Sequence, residues 1–198
     1  MPYTASIEKL LDKLVKLPGI GRRSAERVIG YILSASKEEV RELSEAISRV
    51  KDNVQFCRIC NNLSEEEFCK VCNDIRRNKQ VICIVEIPSD VTAIEKPGQC
   101  RGTYHVLMGS ISPLEGRGPS DLRIDGLLER IKQDNIEELI IATDADTEGE
   151  TTALYLTQLI KPLGLKLTRI GVGIPMGSNL EYADITTLAK SLESRREI

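Results

Sequence analysis

Four cysteines spaced as two pairs carry the clearest chemistry in this sequence. They stand as Cys57-x-x-Cys60 and Cys69-x-x-Cys72, with eight residues between the pairs. Each CxxC turn directs two thiolates towards one point, and four thiolates suit a tetrahedral zinc ion at about 2.3 Å. Such a zinc is structural, because four cysteine ligands leave no position for water or substrate. The alternative is a pair of disulfides, as in small secreted domains.

The chain start and the hydrophobic pattern decide between these alternatives. The sequence opens Met-Pro-Tyr-Thr with no apolar signal segment, and it contains no apolar run of about 18 residues. We therefore expect a cytoplasmic protein with no membrane partner, in a reducing compartment where thiols bind metal rather than pair. A hydrophobic content of 41% indicates a packed globular protein.

A second set of residues is suited to gripping phosphate: Gly19 and Gly21 in a Leu-Pro-Gly-Ile-Gly turn, followed by Arg22, Arg23 and Arg27. The two glycines let the backbone turn sharply and approach a ligand closely. The helix that follows points its free N–H groups and positive dipole end outward. Arg23 and Arg27 lie four residues apart, on one helix face. The alternative is an ordinary tight turn with solvated arginines.

A third set consists of carboxylates that follow predicted strands. Glu86 lies in the apolar run 81–87, and Asp144 and Asp146 follow the strand predicted at 138–142. Chemistry in an open parallel sheet gathers at the carboxyl ends of its strands. If the two strands are neighbours, three carboxylates meet there and could hold magnesium. The plainer interpretation is that acidic residues favour loops and helix N-termini.

Three helices are expected in the first fifty residues. Apolar side chains recur at helical spacing in each, and Ser36 with Glu39 forms a capping box before the third helix. The three stripes are Ile7, Leu10, Leu11, Leu14 and Leu17; Ala25, Val28, Ile29 and Ile32; and Val40, Leu43, Ile47 and Val50.

Strands and helices alternate in the rest of the chain. Strands are predicted at 81–87, 138–142 and 166–170, with helical stretches through 127–131 and 153–159. This βαβ order predicts a parallel α/β sheet.

The net charge of −3 is unevenly distributed. Residues 1–56 carry ten basic and eight acidic side chains, residues 57–79 five and four, and residues 80–198 twelve and eighteen. The basic first part could face phosphate, while the acidic remainder faces metal or protein.

These motifs also resemble known families. The turn at 17–21 is similar to the helix-hairpin-helix motif, which binds DNA backbone. The stretch 142–150 is similar to the Toprim domain that topoisomerases, primases and recombination proteins share. Taken in order, the motifs resemble the bacterial RecR family of recombination mediators. The resemblance rests on the hairpin, the four cysteines, Val85-Glu-Ile-Pro-Ser-Asp90, Gly102-Thr-Tyr-His-Val-Leu107, Ser112-Pro-Leu-Glu-Gly116, Glu148-Gly-Glu-Thr-Thr-Ala-Leu-Tyr155 and Arg169-Ile-Gly-Val-Gly-Ile-Pro-Met-Gly177.

The resemblance implies a multidomain α/β protein. It implies a helix-hairpin-helix domain at 1–53, a four-cysteine zinc finger at 54–78, a Toprim domain at 79–174 and a C-terminal oligomerisation segment at 175–198. It further implies a homotetrameric ring, joined through the N-terminal helices and exchanged C-terminal segments, whose hole admits duplex DNA.

The function that the resemblance implies is DNA repair without catalysis. A cytoplasmic, nucleoid-associated mediator would bind single-stranded, duplex or gapped DNA and act with RecO and RecF to load RecA onto single-stranded DNA. Arg23 and Arg27 match positions where the family carries basic residues implicated in DNA binding, and Arg22 adjoins them.

The carboxylates leave an enzyme open as the alternative. In the topoisomerase version of the motif, Glu86 would serve acid/base chemistry, and Asp144 and Asp146 would hold magnesium. Many RecR members have a Thr-Asn-Pro type of sequence there, and their Toprim surface is thought to dock RecO and RecF. The alternative is a small magnesium-dependent Toprim enzyme acting on DNA phosphodiesters. For His105, the single histidine, we expect a structural or interface role.

Overall fold

A computed structural model describes residues 3–195. Within that range the helices are α1 (Ala5–Leu14), α2 (Arg22–Ser34), α3 (Lys37–Asn53), α4 (Lys70–Asn73), α5 (Pro88–Glu95), α6 (Ile124–Gln133), α7 (Thr147–Ile160) and α8 (Ile185–Glu193). The strands are β1 (Gln55–Phe56), β2 (Leu63–Ser64), β3 (Asn78–Val85), β4 (Gly102–Val106), β5 (Glu138–Ile141) and β6 (Lys166–Arg169). None of the helices in this range is long and apolar enough to cross a membrane.

The chain divides into two compact units, residues 1–54 and 55–198. The first contains α1, α2 and α3. Leu11, Ala25 and Ile29 form its small buried core, because they lie on the facing stripes of α1 and α2. The predicted capping box of α3 is confirmed: the Glu39 N–H donates to Ser36 Oγ (3.2 Å), and the Ser36 N–H donates to the Glu39 carboxylate (2.8 Å).

The apolar stripe of α3 is largely exposed in the part of the chain that the structure describes. Leu43 is 45% exposed, Ile47 65% and Val50 63%. No residue of α3 belongs to the buried core. The helical periodicity was therefore a sound guide to the element, but it did not show what the stripe packs against.

The second unit is built on a four-stranded sheet in the order β4-β3-β5-β6 with all pairs parallel, which confirms the predicted α/β class. One face packs against α6 and α7 through residues such as Leu127, Leu139 and Leu156. The other face packs against α5 through Val85, Val91 and Tyr104 among others. Because both faces are covered, the inner parts of the two central strands, residues 81–85 of β3 and 139–141 of β5, are wholly apolar.

The predicted strand over 81–87 differs at its end. β3 stops at Val85 because Pro88, which has no N–H for a sheet, is a first-turn residue of α5. The sequence pattern gave no bounds for α5 or β4, although Tyr104 and His105 lie in a strand-like run. β4 carries Thr103 and His105 among apolar residues, yet all five of its residues are buried, so alternation did not reveal its burial.

His105 is held neutral in the interior, as expected for a structural residue. It is 1% exposed; its Nε2–H donates to the Arg123 carbonyl (2.7 Å), and Nδ1 faces an Arg130 guanidinium nitrogen at 3.5 Å. Burial lowers the pKa of His105 to about 4, with the Arg130 charge adding to the effect against the opposing hydrogen bond to Arg123.

This pKa predicts acid sensitivity. The unfolded chain takes up the proton near pH 6.5 and the folded chain only near pH 4, so stability falls as the pH falls through that window. The loss should approach about 1.4 kcal/mol per pH unit. Urea unfolding of the protein and of His105→Gln between pH 7.5 and 4.5 measures it. Acid also releases zinc from thiolates in both proteins. The contribution of His105 is therefore the difference between the two proteins in the slope of unfolding free energy against pH. Equal slopes would contradict the prediction.

Candidate zinc centre, helical hairpin and acidic face

The four cysteines converge on one point. Cys57, Cys60, Cys69 and Cys72 are all buried, and their sulfurs lie within 4.8 Å of one another. Cys60 Sγ lies 3.5 Å from Cys69 Sγ, far longer than a disulfide bond of about 2.05 Å. The structure therefore supports a metal site over the disulfide alternative.

Local backbone geometry produces this convergence. β1 and β2 pair as a short antiparallel hairpin that carries the first pair of cysteines at its turn. Asn61 takes a left-handed conformation (φ 61°), which asparagine tolerates well, and so turns the chain back after Cys60. The second pair begins α4, where the Cys69 N–H donates to Cys57 Sγ (3.3 Å). Such N–H donors stabilise a thiolate and orient it.

The donor set fits a divalent cation. The hydrogen bond with Cys69 raises the pKa of Cys60, and those with Cys60 and Cys69 raise the pKa of Cys72, while the hydrogen bonds from Cys60 and Cys72 lower the pKa of Cys69. Four crowded thiolates need a neutralising charge, and zinc supplies one. All four positions are taken by sulfur, so the site is closed and structural. The module also attaches to the sheet edge, since the Val106 N–H donates to the Cys60 carbonyl (2.8 Å).

The hairpin between α1 and α2 has an open surface. Gly19 adopts φ +78°, which favours glycine, and Gly21 is the N-cap of α2. A Cβ built on either glycine would meet no atom within 4 Å. A ligand can therefore approach this backbone closely, next to the free N–H groups at the start of α2.

The three predicted arginines differ in their partners. Arg22 forms an ion pair with Glu26 (3.3 Å), on the surface of α2. Arg23 and Arg27 are exposed and form no ion pair with any residue between 3 and 195. Two unneutralised cations one helical turn apart are therefore available to neighbouring phosphates.

The predicted carboxylates lie at adjacent strand ends. Glu86 follows β3, and Asp144 and Asp146 follow β5, which pairs directly with β3. Glu86 is 7% exposed, and its Oε1 accepts a hydrogen bond from the Asp144 N–H (3.0 Å). Asp146 caps α7 by accepting from the Gly149 N–H (2.8 Å).

We call the surface around Glu86, Asp90, Asp144 and Asp146 the acidic face. Two residues that shape it, Gly149 and Asp90, were not assigned a role from the sequence. Gly149 lets α7 approach the strand ends: a Cβ there would lie 2.2 Å from the Asp144 carbonyl oxygen and 2.8 Å from Glu86 Oε1. Asp90 accepts from the Ile87 N–H (2.9 Å) at the start of α5. The signals available were a glycine in the first turn of a helix and an acid three residues after Ile87.

The acidic residues affect one another's ionisation. Burial raises the pKa of Glu86, the hydrogen bond from Asp144 opposes this, and the charges of Asp144, Asp146 and Asp90 raise it further. Burial and then Asp90 and Asp146 raise the pKa of Asp144. Among residues 3–195, however, only the four cysteines bring three or more ligand atoms within 4.8 Å of one another. The carboxylates create a negative field without converging as a ready-made cage.

Comparison with protein families matches every segment of this architecture. The model of the RecR helix-hairpin-helix matches residues 7–51, and that of the RecR four-cysteine zinc finger domain matches residues 54–74. The Toprim domain model matches residues 80–171, and the RecR C-terminal model matches residues 173–196.

Curated relatives match over nearly the full length. A protein of Acidothermus cellulolyticus is 50% identical, with 99% of this chain and 98% of the relative covered. One of Bifidobacterium longum is 49% identical over 100% and 98%, and one of Streptomyces coelicolor 50% identical over 98% and 98%. All three are named Recombination protein RecR. With half of its residues identical over almost the whole of both chains, this chain belongs to the RecR family of recombination proteins.

Proposed function

We propose that this chain is a DNA-binding recombination mediator in DNA repair, acting in the cytoplasm at the nucleoid. It acts with RecO and RecF to promote RecA loading on single-stranded or gapped DNA. The observation that carries the proposal is the hairpin: two glycines with open space around them stand beside Arg23 and Arg27, which have no acidic partner in the described chain. These groups can bind the backbone phosphates of DNA of any sequence.

A ring assembly is part of the proposal. The exposed apolar stripe of α3 supports contacts between N-terminal helices, because an exposed apolar patch of this kind usually marks a surface that a partner protein covers. In the other unit, Met176, Leu180, Tyr182 and Ile185 are also largely exposed, which supports exchange of C-terminal segments. A tetramer would present four hairpins to one DNA, and linked weak contacts give tight binding.

The acidic face serves partner docking in this proposal. Asp144 and Asp146 are exposed and Asp90 is partly exposed, so they present a negative surface above the buried Glu86 that suits a basic patch on RecO or RecF. The zinc is structural, and the chain itself does not cut or join DNA. Among the described residues, no three of these carboxylates bring their oxygens within 4.8 Å of one another, which favours docking over magnesium chemistry.

The test is the pair of substitutions Asp144→Asn and Asp146→Asn. Asp146→Asn keeps the cap of α7, because Asn also caps a helix, and Asp144→Asn keeps the backbone N–H that donates to Glu86. We expect RecO binding about tenfold weaker and DNA binding unchanged, since the lost charges lie at a protein interface. Calorimetry with RecO and fluorescence anisotropy with DNA measure the two. Asp125→Asn, an exposed acid of α6, is the control.

A second candidate is a magnesium-dependent Toprim enzyme, favoured by the complete acidic set and the raised pKa of Glu86. The protein would then nick or relax supercoiled DNA in magnesium, and Asp144→Asn would abolish turnover. Nicking that disappears in this variant would overturn the mediator proposal. Unchanged RecO binding in both Asn variants would remove the acidic face from the docking site.

A further inference from the structure

A cleft separates the zinc module from one end of the sheet. Its volume is about 430 Å³. Ile59 and Cys72 line it from the zinc module, Lys79 and Thr103 from β3 and β4, and Arg130 from α6. Clefts of about 300–1,000 Å³ are the usual size for small-molecule sites. It is distinct from the hairpin, which belongs to the other unit, and from the acidic face at the opposite strand ends.

Two cations in the cleft wall have no counter-ion. Lys79 and Arg130 form no ion pair with any residue in the described range 3–195, although Asp134 also lines the cleft. This contrasts with Arg77, which forms a bidentate pair with Glu95. Uncompensated positive charge in a cleft favours an anionic ligand.

The hydrogen bonds of Arg130 leave its positive charge without a counter-ion. Its guanidinium is partly buried and bonds only to neutral acceptors, the Tyr104 carbonyl at 2.7 Å and Thr103 Oγ1 at 3.2 Å. His105 faces it as a neutral ring. The Nε–H of Arg130 is buried with no partner among the described residues. A partly buried charge left without a counter-ion is costly, so an anion bound in the cleft would offset this cost.

The rest of the lining suits a heterocyclic base. Ile59 offers a half-exposed apolar surface. Gln133 and Asn135 present exposed side-chain amides at the end of α6. Amides are the groups that read base edges through paired donors and acceptors. Cationic, apolar and amide groups therefore line one space of suitable size.

We propose that this cleft binds a nucleoside monophosphate unit, with the phosphate held by Lys79 and Arg130 and the base against Ile59 within reach of Gln133 and Asn135. The unit is either a free nucleotide or the terminal nucleotide of a DNA strand, because both offer the same phosphate and base. This site adds to the proposed function and does not depend on the hairpin.

Calorimetric titration of the zinc-loaded full chain with deoxyadenosine monophosphate tests the site. Lys79→Ala and Gln133→Ala, both of exposed side chains, should each weaken binding by about tenfold or more. Lys132→Ala, on the same helix but outside the lining, and the pair Arg23→Ala with Arg27→Ala should change it less than about twofold. Inorganic phosphate should bind more weakly than the nucleotide.

The contrary outcomes are distinct. Absence of nucleotide binding, or binding unchanged by Lys79→Ala, would overturn the site. Binding lost in the Arg23/Arg27 variant would assign the nucleotide to the hairpin instead, and phosphate binding as tightly as the nucleotide would exclude base recognition. Oligonucleotides with 5′-phosphate and 5′-hydroxyl ends distinguish the sources. Preference for the phosphorylated end supports a strand terminus, and tighter binding of the free nucleotide supports that source.

Discussion

Replacing Cys57 by serine should release the zinc and unfold the segment around it. Cys57 is 1% exposed, and its sulfur accepts the Cys69 N–H. Apart from the cysteines, only Phe68 and Val71 of the described residues pack into this module, so metal binding must replace an apolar core. Apparent zinc binding in such peptides is about 10–16 kcal/mol, and a serine hydroxyl is a poor ligand. We expect zinc affinity to fall by at least about 100-fold.

Zinc content by mass spectrometry and amide hydrogen exchange measure this loss. The protein should hold about one zinc per chain, and the variant little after dialysis against a chelator. Amides of residues 55–74 should then exchange rapidly. Cys100→Ser, a partly buried cysteine outside the cluster, is the matched control and should keep its zinc. Full retention of zinc by the Cys57 variant would contradict a four-cysteine site.

Replacing Arg23 and Arg27 together by alanine should weaken binding to all DNA sequences alike. Both side chains are exposed and lack an acidic partner in the described chain, so their loss removes phosphate contacts without leaving a charge unpaired. Each lost contact should flatten the dependence of log K on log salt by about 0.9, or about 1.8 for one hairpin. Affinity should fall at least about tenfold near 0.1 M salt, and further if several hairpins engage one DNA.

Fluorescence anisotropy with two unrelated DNA sequences over a salt series measures both effects. The control is Arg41→Ala with Arg49→Ala, because these arginines of α3 are paired with Glu38 and Glu45. Arg22→Ala should have a smaller effect than either hairpin arginine, since Arg22 is paired with Glu26. An unchanged salt slope in the double variant would remove the hairpin from the DNA site.

Much of the architecture could be predicted from local pattern. The capping box of Ser36 and Glu39 and the three sheet strands at 81–87, 138–142 and 166–170 were placed to within three residues of their observed ends. No bounds were predicted for β4 or α5. β4 mixes polar and apolar residues although all are buried, and α5 begins at Pro88 directly after the strand it leaves.

The sequence alone determines features whose residues lie close along the chain, whereas tertiary structure decides contacts between residues that are distant along it. The zinc ligands and the phosphate-gripping hairpin were readable in the sequence because the residues of each motif lie close along the chain, and short turns bring them together. The neighbouring positions of Glu86 and Asp144 depend on the parallel pairing of β3 with β5. The cleft between Lys79 and Arg130 exists only because the zinc module and α6 meet at one end of the sheet. Tertiary packing decides such contacts, since no periodicity or spacing in the chain records which surfaces will face each other.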